Sequence, residues 1–447
     1  MLYSNKDLKK LIFPLVVEQF LGLLVGMVDV MMLAGVGEAA VSGVSMVDTI
    51  NILVINISAA MATGGAVVVG HFIGQKNPEN AGRAAWQLLY FAGIMSTVVS
   101  VFFIAGHQLM LQTIFGEVET AVMESAATYL IITAVSVMPL TIYNSGCALF
   151  RAMNDSRTTM WVSLLMNLVN IGGNALLIFV FKMGVAGAAI ATSVSRTLAA
   201  VIIFAMLFND KRSINIRHRA TWRLKREYLG KMLRIGIPNG MENSLFQLGK
   251  ILLLSLISTF GTAALAANAV GATLAGFNLL PPLAINLAQL SVISVCIGAG
   301  DFKQARYYTK KLLAIAIAAT AVISVFLFIL APVFLRAYNL SAEAERMAIE
   351  IIRFHAVMAV LLWIPSFSLP NTLRAAGDVV WPMVVAIVSM WLFRIVASYV
   401  LGRYLGLGLM GVWIAMTIDW GFRSLCYVLR YRSNKWVNIM KRRSTNH

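Results

Sequence analysis

The sequence predicts an all-α integral membrane protein with twelve transmembrane helices in two homologous six-helix lobes. Three observations support this fold class. The 447 residues are 59% hydrophobic and only 12% charged, apolar stretches long enough to cross a bilayer recur along almost the whole chain, and the second half repeats the first at a nearly constant offset. Because a soluble domain usually carries about 25% charged residues, an ordinary soluble fold is excluded.

Each predicted span is long enough to cross the hydrocarbon core as a helix. We place the twelve spans at residues 11–34, 46–71, 85–106, 126–149, 158–181, 186–208, 235–259, 268–297, 310–333, 351–373, 382–405 and 411–431. The three cysteines fall inside apolar segments without metal-ligand spacing, so they predict packing residues rather than a disulfide framework.

The net charge of +17 follows from the orientation of the spans. An even number of spans puts both termini on one side, and placing that side in the cytoplasm gives it 28 of the 36 Lys and Arg residues. Five are counted on the other side, and of the basic residues inside spans only Arg196, Lys250 and Arg394 are assigned to neither side. This asymmetry predicts cytoplasmic termini in a prokaryotic plasma membrane. It also predicts contacts with anionic lipids and no nucleic-acid partner.

An internal repeat relates the two halves. At one common offset Pro14 and Glu18 fall on Pro238 and Glu242, and at an offset shorter by a single position Arg151 falls on Arg374. This predicts an N-terminal lobe over 1–208, a basic cytoplasmic linker over 209–234 and a C-terminal lobe with a basic tail over 235–447. Six spans in each half predict parallel lobes about a pseudo-twofold axis along the membrane normal. In such transporters the substrate site lies between the repeats near the midplane.

Asp29 lies in the middle of the first span. A charge at the bilayer centre costs at least about 2.5–3.5 kcal/mol on insertion scales, so it is seldom incidental. A buried carboxylate can exchange protons near neutral pH, or hold a hard cation together with other oxygen ligands. The alternative is a hydrogen-bonding partner that fixes helix packing. We favour the binding of H⁺ or Na⁺, and Na⁺ at Asp29 is the only metal expected.

Further polar residues lie inside the predicted spans. Asn167, Asn170 and Asn174 follow i, i+3, i+7 spacing, so they share one helix face, where their carbonyl oxygens can bind a cation or neighbouring helices. Glu18 and Glu242 each follow the repeated proline by four residues. They either line the substrate cavity or serve the helix N-terminus and interface.

The basic residues of the second half have two interpretations. Arg394 is expected to pair with Glu242 or Asp419, whereas Lys250 is left between pairing and snorkelling to the interface. No Ser/His/Asp set, HExxH motif or phosphate-binding loop occurs in the sequence. The sequence therefore predicts no enzyme and no cofactor; a membrane-embedded enzyme would require a mid-span acid, a His and a Ser to converge.

Several short runs of residues, distributed over essentially the whole chain, are similar to those of one family. They are Val28-Asp29, Gly37-Glu38-Ala39-Ala40, Gly74, Phe150-Arg151-Ala152-Met153-Asn154-Asp155, Asn170-Ile171-Gly172-Gly173-Asn174, Gly184-Val185-Ala186-Gly187-Ala188-Ala189-Ile190-Ala191-Thr192 and Leu373-Arg374-Ala375-Ala376-Gly377-Asp378. With these runs the sequence resembles the multidrug and toxic compound extrusion (MATE) family.

The resemblance implies multidrug efflux of mostly cationic organic compounds by antiport against Na⁺ or H⁺, with alternating access between two lobes. The family's cation site matches Asp29, Asn170, Asn174 and Thr192. The substrate cavity is expected to involve Glu18, Glu242, Asn167, Gln247 and Arg394. We expect a functional monomer.

Two departures from the family pattern bear on the mechanism. Some members have Asp where this chain has Asn174, so this site has one carboxylate and the choice between Na⁺ and H⁺ stays open. Many members place an acid in the second half one turn deeper than Glu242, where this chain has Phe246 and Gln247.

The alternative function is a lipid-linked precursor flippase of the same superfamily, which requires several basic residues in the cavity.

Overall fold

The computed structural model describes residues 2–116, 118–209, 212–217, 219–336, 338 and 340–439. Over these residues the chain is built from helices and their connections, without a strand. The end of the predicted basic tail, 440–447, and positions 210, 211 and 218 of the predicted linker lie outside the described residues.

Contacts divide the chain into two units between Gly240 and Met241, inside one helix. Residues from Met241 onward form one unit together with Leu2, and Tyr3–Gly240 forms the other. We call these the second and the first unit. The predicted bounds of the two lobes and the linker stay a prediction.

The first unit contains seven helices in the described residues. They are α1 Asn5–Ala34, α2 Glu38–Gly74, α3 Pro78–Phe115, α4 Thr120–Val135, α5 Val137–Ala152, α6 Ser156–Asn174, which continues as a π-helix over Ala175–Val180, and α7 Gly184–Met206. Helix α8, Arg226–Ser258, begins in the first unit and ends in the second.

The second unit continues with eight further helices among the described residues. They are α9 Thr262–Asn278, α10 Leu280–Gly298, α11 Phe302–Arg336, α12 Ala342–Met358, α13 Ile364–Phe367, α14 Leu369–Ala375, α15 Val380–Val388 and α16 Gly408–Arg432. Three π-helical segments extend them, namely Ala359–Trp363, Ser389–Val396 and Tyr399–Tyr404.

The helix bounds repeat with the offset found in the sequence. At that offset the first residue of α2 falls on the first residue of α9, and the last residue of α2 falls on the last residue of α10. The backbone turns repeat as well: Asn154 and Gly377, which are equivalent positions in the two halves, both have positive φ, of 63° and 75°. The same local structure is therefore built twice along the chain.

One predicted span differs between the halves. Residues 268–297 were expected to form one helix, but the helix is interrupted at Leu279, between α9 and α10. Pro281 and Pro282 follow at the start of α10. Proline lacks an N–H donor and clashes with the preceding turn, so it is tolerated at a helix start and disrupts a helix interior. The equivalent α2 has no proline and is continuous.

Among the described residues, nine helices are long and apolar enough to cross a membrane, and α4 with α5, bent by 50°, makes a tenth. The predicted spans 235–259 and 411–431 fall on α8 and α16, which do not reach that standard. Charged residues inside these two helices lower their mean hydropathy. Some of these charges, Glu242 in α8 and Asp419 and Arg423 in α16, are held in ion pairs described below.

Two charges assigned to cytoplasmic pieces are in fact buried. Arg374 is 9% exposed and lies in α14, and Arg423 is 1% exposed and lies in α16. The charge distribution counted both on the cytoplasmic side, although Arg423 lies inside the predicted span 411–431. Each has a carboxylate partner, as a buried charge requires.

Candidate functional site

Helix α1 presents Asp29 about one turn before its end at Ala34. Asn174 is the last α-helical residue of α6, and its Nδ2 donates to Asp29 Oδ1 at 2.7 Å. Asn174 is 2% exposed and Asp29 is half-buried, so this hydrogen bond, which is charge-assisted when Asp29 is ionised, is partly shielded from solvent. A charge-assisted bond of this kind is about twice as strong as a neutral one.

Asn170 lies one turn before Asn174 on the same face of α6. With its amide nitrogen turned toward Asp29, it donates to Asp29 Oδ1 at 2.9 Å, and its oxygen accepts from Thr192 Oγ1 at 3.2 Å. This orientation satisfies both ends of the amide. Helices α1, α6 and α7 are thereby joined through one line of side chains, Asp29, Asn170 and Thr192.

An unpaired acceptor oxygen lies next to Asp29. Asn174 Oδ1 is buried and has no hydrogen-bond partner, while its nitrogen is used by Asp29. A buried acceptor without a donor is costly, and carboxylate and amide oxygens are ligands that hard cations prefer. The residues present therefore fit Na⁺, and they fit a proton on Asp29 equally well. Within the described residues, no group of three or more His, Cys, Asp or Glu residues suits another metal.

The backbone changes its winding next to this site. The α-helical turns of α6 end at Asn174, and the next six residues, Ala175–Val180, are π-helical. Such single π turns are frequent at functional sites. Hydropathy gives no indication of this feature.

The other candidates of the first unit do not join the Asp29 cluster. Asn167 is buried and its Nδ2 has no partner. Glu18 accepts a hydrogen bond from Thr159 at 2.8 Å, and Arg151 lies 3.5 Å from its carboxylate. Glu18 is therefore held in a largely buried ion pair between α1 and α5.

Glu242 has the equivalent arrangement in the second unit. Arg374 Nη2 lies 2.7 and 2.6 Å from the two carboxylate oxygens, and Arg374 Nη1 donates to Asn371 at 3.0 Å. The expectation that Arg394 pairs with Glu242 or Asp419 resolves to Asp419, since Arg394 Nη1 lies 3.6 Å from its Oδ2.

Asp419 is fully buried and binds a second arginine. Arg423, one turn later in α16, donates from Nε to Asp419 Oδ1 at 2.8 Å. Ser389 donates to the same oxygen. Arg423 also donates to the carbonyl oxygen of Ala386 at 3.1 Å. One carboxylate thus serves two guanidinium groups.

Glu242 and its arginine partner, together with both arginines that bind Asp419, line a cavity of about 660 Å³, all of whose wall belongs to the second unit. Four basic side chains line it: Lys250, Arg374, Arg394 and Arg423. Its aromatic wall consists of Phe246, Trp363, Phe367, Trp413 and Trp420. Glu242 and Arg394 line this cavity and Gln247 lies outside its lining. Their assignment to a substrate cavity stays a prediction.

Arg423 is a basic residue of this cavity that sequence reasoning missed. It lies four residues after Asp419 in an apolar helix, and i, i+4 spacing places the two on one face. That spacing was the available signal. Phe246 was noted only as a replacement for a family acid, yet three cations surround its ring.

The MatE family model matches residues 14–176 and, again, residues 238–400. The chain belongs to the MatE family. The two matched segments begin and end at the same offset from each other, which is also the offset of the sequence repeat and of the helix bounds. The segments include Asp29, Asn170 and Asn174 in the first half and Glu242 and Arg394 in the second.

Bacterial members of similar length match this MatE-family chain. It is 27% identical over 439 residues to "Uncharacterized transporter YisQ" of Bacillus subtilis (strain 168), covering 96% of this chain and 95% of the relative. It is 26% identical over 442 residues to "Probable multidrug resistance protein NorM" of Thermotoga maritima, covering 97% and 93%.

Solved structures show the same fold. A crystal structure of MATE in complex with MaL6 superimposes with a TM-score of 0.90 at 20% identity, over 98% of this chain and 97% of the other. A MOP superfamily transporter from Pyrococcus furiosus, described as having a binding pocket of reversed polarity, gives 0.89 at 20% identity, over 97% and 96%. The twelve-helix, two-lobe layout is thus confirmed, and this MatE-family chain is a multi-pass membrane transporter.

Proposed function

We propose that this chain is a secondary active exporter that moves organic compounds out of the cell in exchange for Na⁺ or H⁺. The observation that carries the proposal is the pairing of Asp29 with Asn174, whose oxygen is buried without a partner. Coupling requires a site that gains and loses a cation. A carboxylate held by neutral amides can do this, whereas a carboxylate in an ion pair with arginine, such as Glu18 or Glu242, is already neutralised.

The geometry suggests how binding of the cation changes the contact between α1 and α6. Asp29 accepts from Asn174 and, with the Asn170 amide turned as described above, from Asn170 as well, so α1 is tied to α6. A proton on Asp29 removes the charge that strengthens these bonds. Na⁺ instead takes carboxylate oxygen and Asn174 Oδ1, which requires the amides to turn. Either cation therefore changes the contact between α1 and α6, and this change can bias alternating access between the two lobes.

The remaining features of the proposal follow from the sequence and the relatives. The predicted substrates are mostly organic cations, and relatives named multidrug resistance proteins support export of small organic molecules. The bacterial relatives support a place in the plasma membrane, and the charge distribution supports cytoplasmic termini. We propose that the monomer is the transporting unit.

Transport in proteoliposomes tests the proposal. Efflux of the fluorescent cation ethidium is measured with an imposed Na⁺ gradient and, separately, with an imposed pH gradient. We expect wild-type protein to respond to one gradient and Asp29→Asn to lose that response. Glu124→Gln, which removes an exposed acid from the same unit, is the matched control and should transport normally. Gradient-driven efflux by Asp29→Asn at the wild-type rate would contradict the proposed coupling site.

A second function, export of a lipid-linked precursor, is favoured by the basic cavity of the second unit. The sequence offered few basic candidates for holding phosphates, but four basic side chains line this cavity. The test uses a fluorescent polyprenyl diphosphate in the same proteoliposomes and follows its accessibility to dithionite. Protein-dependent flipping that exceeds ethidium transport would favour this function, and its absence would leave small-molecule export.

A further inference from the structure

The cavity of the second unit has a charge opposite to that required for organic cations. Its charged groups are four bases and the carboxylates of Glu242 and Asp419, the latter fully buried behind the wall. Glu242 forms an ion pair with Arg374, and Asp419 forms ion pairs with both Arg394 and Arg423. Two positive charges remain in excess. The other titratable residue of the wall, His355, is neutral or positive, so it cannot offset them.

The excess charge is concentrated around one ring. Lys250 Nζ lies 5.1 Å from the centroid of Phe246, and the guanidinium carbons of Arg394 and Arg423 lie 5.1 and 5.4 Å from it. The electron-rich ring face attracts each cation, by about 0.5–2 kcal/mol, but it carries no net charge. Three cations thus gather with one carboxylate, Asp419, among them.

Lys250 is the least compensated of these groups. Within the part of the chain that the structure describes, no carboxylate lies within ion-pair distance of its ammonium. It is nevertheless solvent-accessible and lines the cavity. A cation inside a membrane protein ordinarily pairs with another group or marks a ligand pathway.

Hydrogen-bond donors on the wall are also without acceptors. Arg394 Nε, Trp420 Nε1 and Ser366 Oγ are buried and have no partner, and all three residues line the cavity. Their residues are 8%, 3% and 1% exposed. Buried donors are satisfied in most native proteins. A ligand rich in acceptor oxygens would supply the hydrogen-bond acceptors that these three donors lack.

We propose that this cavity binds an amphipathic organic anion, with its carboxylate, sulfonate or phosphate at Lys250, Arg394 and Trp420. The apolar body would lie against Trp363, Phe367 and Trp413. A volume of about 660 Å³ falls within the range of drug-sized sites, about 300–1,000 Å³. The inference refines the proposed exporter, because it names the ligand class for one of its cavities.

Binding to the purified full-length protein tests this directly and requires no transport. The protein is placed in phosphatidylcholine nanodiscs and titrated with three pyrene probes that differ in charge: pyrenesulfonate, hydroxymethylpyrene and pyrenemethylammonium. Quenching of tryptophan fluorescence reports binding, and empty nanodiscs correct for partitioning. We expect the sulfonate to bind at least about tenfold more tightly than the ammonium probe, as one charge-assisted hydrogen bond provides.

Lys250 offers a clean variant, because its removal leaves no carboxylate unpaired. Lys250→Gln should weaken pyrenesulfonate binding about tenfold, Lys250→Arg should retain it, and Lys310→Gln, which removes an exposed lysine from the same unit, should not change it. Equal binding of the sulfonate and ammonium probes by wild type would overturn the proposal. Unchanged sulfonate binding by Lys250→Gln would also overturn it.

A further arm distinguishes a lipid headgroup from a soluble anion. If phosphatidylglycerol added to the nanodiscs competes with pyrenesulfonate in wild type, the anion is a lipid headgroup. If it does not compete, the anion is a soluble molecule; both results support the site.

Failure of ion-coupled efflux would overturn the proposed exporter and leave this binding result intact, so the failure of one proposal can be distinguished from the failure of the other.

Discussion

Arg374 and Glu242 form a two-point contact, with one guanidinium nitrogen 2.6 and 2.7 Å from the two carboxylate oxygens. The first unit repeats the pair as Arg151 and Glu18, at 3.5 Å. The two acids are related by the offset of the sequence repeat, and the two bases by an offset shorter by a single position. In each unit the pair joins the helix that opens the half to the helix that contains the repeated arginine. The repeat has thus preserved an interaction as well as a pattern of residues.

The Glu242–Arg374 pair is expected to stabilise the second unit. Glu242→Leu leaves a buried guanidinium unpaired, which typically costs about 3–5 kcal/mol. The midpoint of thermal unfolding in detergent, followed by tryptophan fluorescence, should therefore fall. The double variant Glu242→Leu/Arg374→Met removes both charges and should recover most of that loss. A double variant less stable than either single variant would show that the two residues do not act as a pair.

Individual residues show how far the sequence could predict this molecule. The asparagine face of α6 was predictable, because i, i+3, i+7 spacing is a property of the helix itself. The Glu242–Arg374 pair was not recognised, although both residues stood in the repeat, since a repeat does not say which residues touch. Arg423 was assigned to the cytoplasmic end because orientation rules count charges without knowing which are buried. The break at Leu279 could be reconciled with Pro281 and Pro282 only once helix bounds were known.

Asn174→Asp should strengthen Na⁺ binding at the first-unit site. The substitution adds a second carboxylate next to Asp29. A carboxylate and a bound Na⁺ about 4 Å apart attract each other by about 4 kcal/mol at an effective dielectric constant of 20. Since about 1.4 kcal/mol is a factor of ten, the Na⁺ concentration for half-maximal efflux should fall at least about tenfold. Asn174→Leu removes the amide oxygen and should raise the Na⁺ concentration for half-maximal efflux. An unchanged Na⁺ dependence in both variants would exclude Na⁺ from this position.

Thr192 is expected to act by orienting Asn170. With the Asn170 amide oriented as described above, the Thr192 hydroxyl donates to the Asn170 oxygen and so directs the amide nitrogen to Asp29. Thr192→Val keeps the shape and removes one hydrogen bond, worth about 1 kcal/mol, so gradient-driven ethidium efflux should slow about fivefold. Thr192→Ser retains the hydroxyl and should transport at nearly the wild-type rate. If the Ser variant is as slow as the Val variant, the methyl group rather than the hydrogen bond determines the effect.

Asp155 should make the stability of the first unit depend on acid pH. It precedes α6, accepts from the N–H and hydroxyl of Thr158, and pairs with Arg212 at 2.5 Å. Burial alone would raise the pKa of Asp155, but the hydrogen bonds from Arg212 and Thr158 outweigh it and hold the pKa below its ordinary value. The folded state thus favours the carboxylate.

A lowered folded-state pKa gives the sign of the effect. The contribution of Asp155 is complete above the unfolded pKa of about 3.9, and it is lost as the pH falls through the lower folded-state value. Asp155→Asn keeps an N-cap side chain but has no charge, so its thermal midpoint should be lower than that of wild type at pH 7. The difference should narrow as the pH is lowered below 4. A difference that stays constant from pH 7 to pH 3 would mean that the capping geometry, and not the charge, is what Asp155 contributes.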